Sequence, residues 1–200
     1  MSDYSGYSFD MFTVPTRPIT ATKATRHRGF TLVELVVVLA IMATLAALAA
    51  PAFRNLIDRM RVSTVSDELM ASIHLVRAEA IQRNGQVRMI KITGADCPAM
   101  LSAQFWNCGW RIFADLNNNA AIDVGEEVIR EFRITNGVTV AHSRNATNFL
   151  ANRWGQVAGI NAFSFTIRPA SGAGGIASTN TVCVNSGGRV RLIERSDVCP

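Results

Sequence analysis

The chain has 200 residues, of which 48% are hydrophobic and 18% are charged, and its formal net charge at pH 7 is +5. This length leaves room for one domain of modest size beyond a single long apolar segment, which excludes a second enzyme-sized domain. The four cysteines begin at Cys97, and their even number is typical of disulfides formed in an oxidising compartment.

Residues 1–29 are predicted to form a leader. Residues 1–25 are rich in Ser, Thr and Tyr, contain Pro15 and Pro18, and show neither a helical nor a strand period. Such a segment cannot bury enough apolar surface to fold by itself. We therefore expect it to be disordered.

An apolar run follows over residues 30–52, and Glu34 is its only charged residue. At about 1.5 Å of rise per residue, a helix of this length crosses a hydrocarbon core of roughly 30 Å. Arg26 and Arg28 precede the run, so by the positive-inside rule the leader is cytoplasmic and the residues after Ala52 face the periplasm. The pattern predicts a single-pass protein of a bacterial inner membrane.

Two other interpretations of this run remain open. A secretory signal peptide could be cut after Ala47-Leu48-Ala49, although the run is longer than the roughly 7–15 apolar residues of a typical signal. A plain membrane anchor explains the hydrophobicity, but an acid in an apolar span costs up to about 3 kcal/mol and usually has a partner. The plain anchor therefore leaves Glu34 unexplained.

Residues 53–85 are predicted to continue the same helix as an amphipathic segment. Apolar residues recur at mostly helical spacings from Leu56 to Ala80, with charged residues between them. Asn84-Gly85 is a typical helix stop. The sequence therefore predicts one helix from Phe30 to Asn84, whose second half packs on a globular domain.

Residues 86–200 change to short β-like runs and are predicted to form a β-rich periplasmic domain. Asn136-Gly137 and Gly187-Gly188 have the composition of hairpin turns, and residues 171–175 that of a flexible surface loop. A long helix before such runs predicts the α+β class, with a small antiparallel sheet that buries the amphipathic half of the helix. The predicted strands are 87–92, 110–113, 128–132, 138–141, 163–167, 181–184 and 189–193.

The four cysteines allow three disulfide pairings. Pairing Cys97 with Cys108 and Cys183 with Cys199 would close two short local loops, and we expect this arrangement. Cys97 and Cys108 enclose ten residues and have no second pair nearby, which argues against a zinc site.

An Asp/Asn-rich segment follows the second predicted strand. Its oxygen-bearing residues fall at positions 1, 3, 5, 9 and 12 of an EF-hand-like calcium loop, but the sixth position, where that loop requires glycine, is Ala120. The flanking residues are typical of strands rather than helices, so we expect a polar hairpin turn and no metal. The candidate ligands are Asp115, Asn117, Asn119, Asp123 and Glu126.

No pattern typical of catalysis is evident. His74 falls in the predicted helix and His142 at a strand end, and neither has a cysteine or carboxylate at ligand spacing. The paired acids Glu126-Glu127 have no opposing group, and no nucleophile has a neighbouring base. We expect structural or surface histidines, no cofactor and no enzymatic activity.

The last third of the chain carries five arginines and no acid between Ala141 and Ile193, which predicts a positive face. Arg189 and Arg191 lie at i and i+2 of a predicted strand, so their side chains project from one face about 6.6 Å apart. Such a face could bind phosphates, or it could be a solvated surface that protects an edge strand from aggregation. The five residues are Arg144, Arg153, Arg168, Arg189 and Arg191.

The stretch Gly29-Phe30-Thr31-Leu32-Val33-Glu34, with basic residues before it and an apolar run after it, resembles the processing site of type IV prepilins. The resemblance implies a type IV pilin-like fold, cleavage between Gly29 and Phe30 by a prepilin peptidase, N-methylation of Phe30, and assembly with other pilins or pseudopilins. It also implies that Glu34 pairs with the N-terminal amine of a neighbouring subunit, because two charges that are costly alone become tolerable as a pair.

The tail Gly188-Arg189-Val190-Arg191 resembles the G-R-x-R pattern of FimT-like minor pilins, a branch of the GspH/FimT family, and the family resemblance extends from Arg28 to Cys199. It implies DNA binding during natural transformation, and we expect Arg189 and Arg191, helped by some of the other three arginines, to bind double-stranded DNA without sequence preference. The alternative in the same family is a GspH-like structural pseudopilin of a type II secretion system that does not bind DNA.

Overall fold

A computed structural model describes residues 29–94, 97, 102–134, 137–157 and 162–199 of the chain, without the side chains of 50–52. The predicted leader lies outside the described residues apart from Gly29, and so does Asn136 of one predicted turn. The chain divides into two compact units, one that ends at Ala43 and one that begins at Thr44.

The long helix α1 spans Leu32–Gln82, which confirms the predicted helix. Its described side chains in the first unit, such as Val36 and Leu39, are exposed. Within the described residues, α1 is the one helix long and apolar enough to cross a membrane, with a mean hydropathy of 2.6 over 18 residues. Exposed apolar side chains of this kind suit a segment that meets lipid or other helices.

Helix α1 ends in the second unit at a residue with a left-handed backbone conformation. Asn84 has a φ of 59°, and the Gly85 N–H donates to the Ala80 carbonyl at 2.6 Å. This hydrogen bond is the outer closure of a Schellman motif, which satisfies a carbonyl that the helix leaves without a partner. The predicted stop at Asn84-Gly85 is therefore confirmed.

Eight described strands, all in the second unit, follow the helix. They are β1 (Val87–Lys91), β2 (Gly109–Ala114), β3 (Val128–Arg133), β4 (Val138–His142), β5 (Asn148–Ala151), β6 (Phe163–Pro169), β7 (Asn180–Val184) and β8 (Val190–Glu194). They pair in two antiparallel sheets with the orders β3-β2-β1-β5 and β4-β6-β7-β8. The α+β class is confirmed, whereas the prediction of a single sheet is wrong.

Strand β5 has no counterpart among the predicted strands. Its four residues, Asn-Phe-Leu-Ala, include no β-branched side chain, so local propensity gives little signal. The strand forms because it pairs with β1, where Arg88 lies opposite Leu150 and Met89 opposite Phe149. Phe149 becomes buried as a result, and a contact between distant segments therefore decides this element.

The two predicted hairpin turns have different outcomes. Gly187-Gly188 connects β7 and β8, which pair directly, and this prediction is confirmed. Gly137 lies between β3 and β4, which belong to different sheets, so the predicted hairpin at Asn136-Gly137 is wrong. The chain leaves the first sheet there and enters the second. Residues Gly175–Ser178, at the end of the predicted flexible loop, form a short 3-10 helix.

One face of the second half of α1 packs into a core that contains side chains from both sheets. Leu69, Ile73 and Val76 are fully buried at spacings of three or four residues, and they belong to the same cluster as Met89 and Phe165. Each large apolar side chain buried in this way contributes roughly 1.5–3 kcal/mol. The predicted burial of the amphipathic half is thus observed.

Both expected disulfides are present. Cys97 is bonded to Cys108 and Cys183 to Cys199, with Cα atoms 5.8 and 5.9 Å apart. The local pairing expected from the sequence is therefore confirmed, and all four cysteines are used.

Candidate functional site

The start of α1 is capped by the same motif that contains Glu34. The Thr31 Oγ1 accepts a hydrogen bond from the Glu34 backbone N–H at 3.2 Å, and the Thr31 carbonyl accepts one from the Leu35 N–H at 3.1 Å. Thr followed three positions later by Glu is the capping-box pattern, which satisfies N–H groups that have no partner inside the helix. Glu34 also lies in the first turn, where the helix dipole favours negative charge. The predictions missed this local role, although the spacing T-x-x-E signals it.

The predicted cleavage position carries no packing constraint. Apart from its chain neighbours, no atom of the described residues lies within 4 Å of the point where a Cβ on Gly29 would stand, and Phe30 is 85% exposed. The structure itself therefore does not require glycine at position 29.

A buried ion pair anchors the Asp/Asn-rich segment to the first sheet. Asp115 is fully buried, and its carboxylate accepts a hydrogen bond from the Arg88 Nε at 2.5 Å. The other two guanidinium nitrogens of Arg88 donate to the side-chain oxygens of Asn118 and Asn148, each at 2.6 Å. The Asn119 backbone N–H donates to the same Asp115 carboxylate. These contacts satisfy both buried charges.

The remaining candidate calcium ligands are bonded within the segment. The side-chain amides of Asn117 and Asn119 donate to Asp123 at 2.8 and 2.6 Å and lower the pKa of that carboxyl. Glu126 accepts hydrogen bonds from the backbone N–H groups of Leu116 and Asp123. The carboxylates therefore face protein N–H donors, which a cation would have to displace. The predicted polar turn is observed, and the described residues hold no group of three or more His, Cys, Asp or Glu that could bind a metal.

We expect Asp115→Asn to lower the free energy of unfolding by about 3–5 kcal/mol, because a neutral amide leaves the Arg88 charge without its counterion. Asp123→Asn is the matched control, since it weakens exposed hydrogen bonds from Asn117 and Asn119 in the same segment but leaves no buried charge unpaired, and we expect it to cost much less. Urea unfolding followed by circular dichroism measures both values. Equal stability of the two variants would contradict the importance of the ion pair.

His142 is buried in an aromatic cluster and is structural. Its Nδ1 accepts hydrogen bonds from the backbone N–H groups of Arg144 at 3.1 Å and Ala146 at 3.4 Å, and its ring centroid lies 4.8 Å from that of Phe165. Burial, followed by the charge of Arg144, lowers the pKa of His142 to about 4, so its ring is neutral at pH 7. His74 is exposed on α1. Both positions agree with the predictions for these histidines.

Arg189 and Arg191 are exposed and line one open cavity of about 300 Å³. Val190 and Leu192 alternate with them and pack against the core, so the two arginines lie on the same side of the sheet, as predicted. Cys183 lies opposite Arg191 across the β7–β8 ladder. Among the residues that the structure describes, neither guanidinium forms an ion pair.

Arg144 does not line this cavity but is bonded to a residue that does. Its Nε donates to the carbonyl of Ala162 at 2.9 Å, and Ala162 lines the cavity together with Ser143 at the end of β4. Two of the five predicted arginines therefore line one opening, and a third contacts its lining. We call this opening, lined by Arg189 and Arg191, the arginine cavity.

The other two predicted arginines lie elsewhere. Arg168 lines a second cavity, of about 400 Å³, together with Asp197. Along β6, Ser164 lines the arginine cavity, whereas Thr166 and Arg168 line the second cavity. The Arg153 guanidinium lies 4.3 Å from the ring centroid of Trp154, after β5. The five arginines of the predicted positive face therefore do not all line one opening.

The C-terminal tail divides the outer face of the second sheet between the two cavities. The Ser196 N–H donates to the Thr179 carbonyl at 3.2 Å, and the Ser196 carbonyl accepts from the Thr181 hydroxyl at 2.7 Å. Farther along the tail, the disulfide joins Cys199 to Cys183 in the wall of the arginine cavity. The tail thus brings Asp197 to the second cavity and Cys199 to the first.

Comparison with known proteins identifies two matching family models. Residues 65–188, more than half of the chain, match the family described as type II transport protein GspH. Residues 24–50 match the prokaryotic N-terminal methylation motif. No curated protein matches the chain.

Solved structures resemble the chain at low sequence identity. Two crystal forms of the type IV minor pilin FimU of Pseudomonas aeruginosa are both 15% identical, with TM-scores of 0.52 and 0.55. The first alignment covers 68% of this chain and 94% of FimU, and the second 70% and 92%. The minor pseudopilin EpsH of Vibrio cholerae is 13% identical, with a TM-score of 0.47, over 68% of this chain and 99% of EpsH. The likeness to FimU confirms the predicted type IV pilin-like fold.

Proposed function

We propose that this chain, which belongs to the GspH family of type II transport proteins, is a minor pilin whose arginine cavity binds DNA during natural transformation. Its family and its N-terminal methylation motif make it a minor pilin or pseudopilin, a subunit of a filament rather than an enzyme. Beyond this, we propose that the filament is a type IV pilus and that the ligand is DNA.

The processing steps follow from the motif at residues 24–50. A prepilin peptidase cuts between Gly29 and Phe30, and Phe30 becomes N-methylated. The leader 1–29 stays in the cytoplasm, the apolar residues 30–52 hold the subunit in the inner membrane, and the segment 53–85 leads into the periplasmic domain 86–200. Because the cut lies before the apolar run, that run stays on the mature subunit. The run can then hold the subunit in the membrane until it is assembled into a filament.

One observation supports the DNA ligand most directly: Arg189 and Arg191 line one open cavity, and Arg144 donates to the carbonyl of Ala162 in the lining of that cavity. The planar guanidinium of arginine makes paired hydrogen bonds with phosphate oxygens. Arg189 and Arg191 remain available for this because they form no ion pair within the described residues. Phosphate contacts carry no base information, so binding is independent of sequence. Arg168 contributes less, because Asp197 lies in the same cavity.

We expect the full-length chain in detergent to bind duplex DNA with a dissociation constant on the order of 10⁻⁴–10⁻⁶ M at physiological salt. About three phosphate contacts give a slope of roughly −3 for log affinity against log salt, and Arg189→Gln with Arg191→Gln should reduce its magnitude to roughly 1. Fluorescence anisotropy of a labelled duplex over a salt series measures the slope.

The matched control removes two exposed arginines that lie beside carboxylates, Arg168→Gln with Arg195→Gln. This control should keep most of the slope, while circular dichroism shows that both double variants are folded. A folded Arg189/Arg191 double variant with the parent's slope would refute the proposal, and the arginine cavity would then be a solvated surface.

The alternative function is that of a structural pseudopilin in a type II secretion system, without DNA binding. The description of the matching family as type II transport proteins favours it. Deletion of the gene separates the two functions. Loss of transformation with intact protein secretion supports the minor pilin, and loss of secretion with intact transformation supports the pseudopilin.

A further inference from the structure

Trp154 is an exposed aromatic side chain beside the arginine cavity. The chain has three tryptophans, of which Trp106 and Trp110 are buried, whereas Trp154 is 65% exposed. An indole ring in water leaves a large apolar surface without a partner, and tryptophan is enriched where proteins bind other molecules.

The turn that carries Trp154 is held in one conformation. The Asn152 side-chain oxygen accepts hydrogen bonds from the backbone N–H groups of Trp154 at 3.0 Å and Gln156 at 2.9 Å. The Gly155 N–H donates to the Asn152 carbonyl at 2.8 Å, and the Gly155 carbonyl accepts from the Arg77 Nε of α1 at 2.7 Å. The exposed ring therefore stands on a rigid support, which reduces the entropy lost when a ligand binds.

One face of the ring carries a cation. The Arg153 guanidinium lies 4.3 Å from the ring centroid, within the range of a cation–π contact. Because the side chain is nevertheless 65% exposed, the opposite face of the indole is open to solvent. An open aromatic face next to a positive charge is the arrangement by which proteins hold unpaired nucleobases.

A close contact between two turns places Trp154 near Arg189. A Cβ on Gly188 would stand 2.6 Å from the Gly155 carbonyl oxygen, so the two glycine backbones touch. Trp154 and Arg189 are the chain neighbours of these glycines, and their Cα atoms are therefore within about 14 Å of each other. The charged side chains that contact the two turns, Arg77 and Arg153, are both positive.

We propose that the open face of the Trp154 indole, whose other face carries Arg153, stacks on an unpaired base of single-stranded DNA whose phosphates reach Arg189 and Arg191. This inference rests on the proposed DNA binding and adds a preference for single strands or frayed ends. Bases inside a duplex are stacked on each other and cannot reach a side chain on the protein surface, whereas an unpaired base can rotate onto the open indole face. The positive charges around the turn favour a nucleic acid over an apolar protein partner.

The test compares parent, Trp154→Ala and Trp154→Phe, each as full-length chain in detergent, with oligo(dT) and with a closed circular duplex. We expect Trp154→Ala to weaken oligo(dT) binding about 10-fold, as stacking on one base implies, and to leave duplex binding within about twofold. Trp154→Phe, which keeps an aromatic face, should retain most of the oligo(dT) affinity. In the parent, oligo(dT) should quench the fluorescence of the exposed Trp154, and Trp154→Phe should lack this quenching because its other two tryptophans are buried.

Each of the following outcomes would overturn the inference about Trp154. Each also shows whether the proposed DNA binding fails with it. If Trp154→Ala binds both ligands like the parent, Trp154 makes no base contact, while DNA binding at the arginine cavity stands. If Trp154→Ala binds DNA normally but enters filaments poorly, the ring contacts another subunit. If the parent binds neither DNA, the proposed function fails together with this inference.

Discussion

Gly29→Val is expected to block processing completely, so that the chain accumulates as a full-length precursor in the membrane. The described part of the chain offers no packing reason for glycine at this position, because none of its atoms beyond the chain neighbours lies within 4 Å of an added Cβ. Any effect of valine therefore comes from the peptidase, whose site must fit the residue before the cut. Mass spectrometry of the membrane-extracted protein should show methylated Phe30 at the N-terminus of the parent and the intact leader in the variant.

The control for this experiment is Thr31→Ser, on the other side of the proposed cut. Serine keeps a hydroxyl for the Glu34 N–H, so α1 should start normally and processing should continue. A mature N-terminus at Phe30 in Gly29→Val would contradict the predicted recognition of glycine. An N-terminus at Ala50 in the parent would instead identify an ordinary signal peptide.

Glu34→Val is expected to insert in the membrane normally but to be almost absent from filaments. Glu34 is the only charge in the apolar run, and we propose that its partner is the N-terminal amine of a neighbouring subunit. Without the carboxylate, that amine would be left uncompensated in the filament core, and breaking such a buried pair costs about 3–5 kcal/mol. Immunoblots of sheared filaments and of the membrane fraction measure how the chain divides between them.

The capping box at the helix start makes Glu34→Gln the informative second variant. Glutamine can fill the same position of a capping box and leaves the backbone N–H that donates to the Thr31 hydroxyl in place, but it carries no charge. If pairing with the amine is what matters, Glu34→Gln should assemble as poorly as Glu34→Val. Normal assembly of Glu34→Gln would instead assign Glu34 to the start of α1 and contradict the pairing.

The elements predicted correctly from the sequence are those that local patterns specify. Helix α1 follows from its apolar periodicity, and its end follows from Asn84-Gly85, where a residue that tolerates positive φ can close the Schellman motif. The local disulfides also follow from short spacings along the chain. β5 was missed because its pairing with β1, not its own composition, makes it a strand.

The candidate sites divide in the same way. Gly29, Phe30 and Glu34 lie within one short motif, and the sequence alone was enough to select them. The arginines are different: their number and sign are visible in the sequence, but their grouping is not. Arg191 shares a cavity with Ser164 only because β6, β7 and β8 pair in one sheet, and the tail brings Asp197 to the cavity that Arg168 lines.

The sequence by itself therefore determined the long helix, the strand-rich domain after it, the disulfides and the processing motif. Each depends on residues that are neighbours along the chain, and helical or strand periodicity and turn preference act over that range. Only the tertiary structure decided the division into two sheets, the buried Arg88–Asp115 pair, and the contact between Gly155 and Gly188 beside the arginine cavity. These features depend on which distant strands pair, and the free energy of that pairing comes from side chains that meet only in the folded domain.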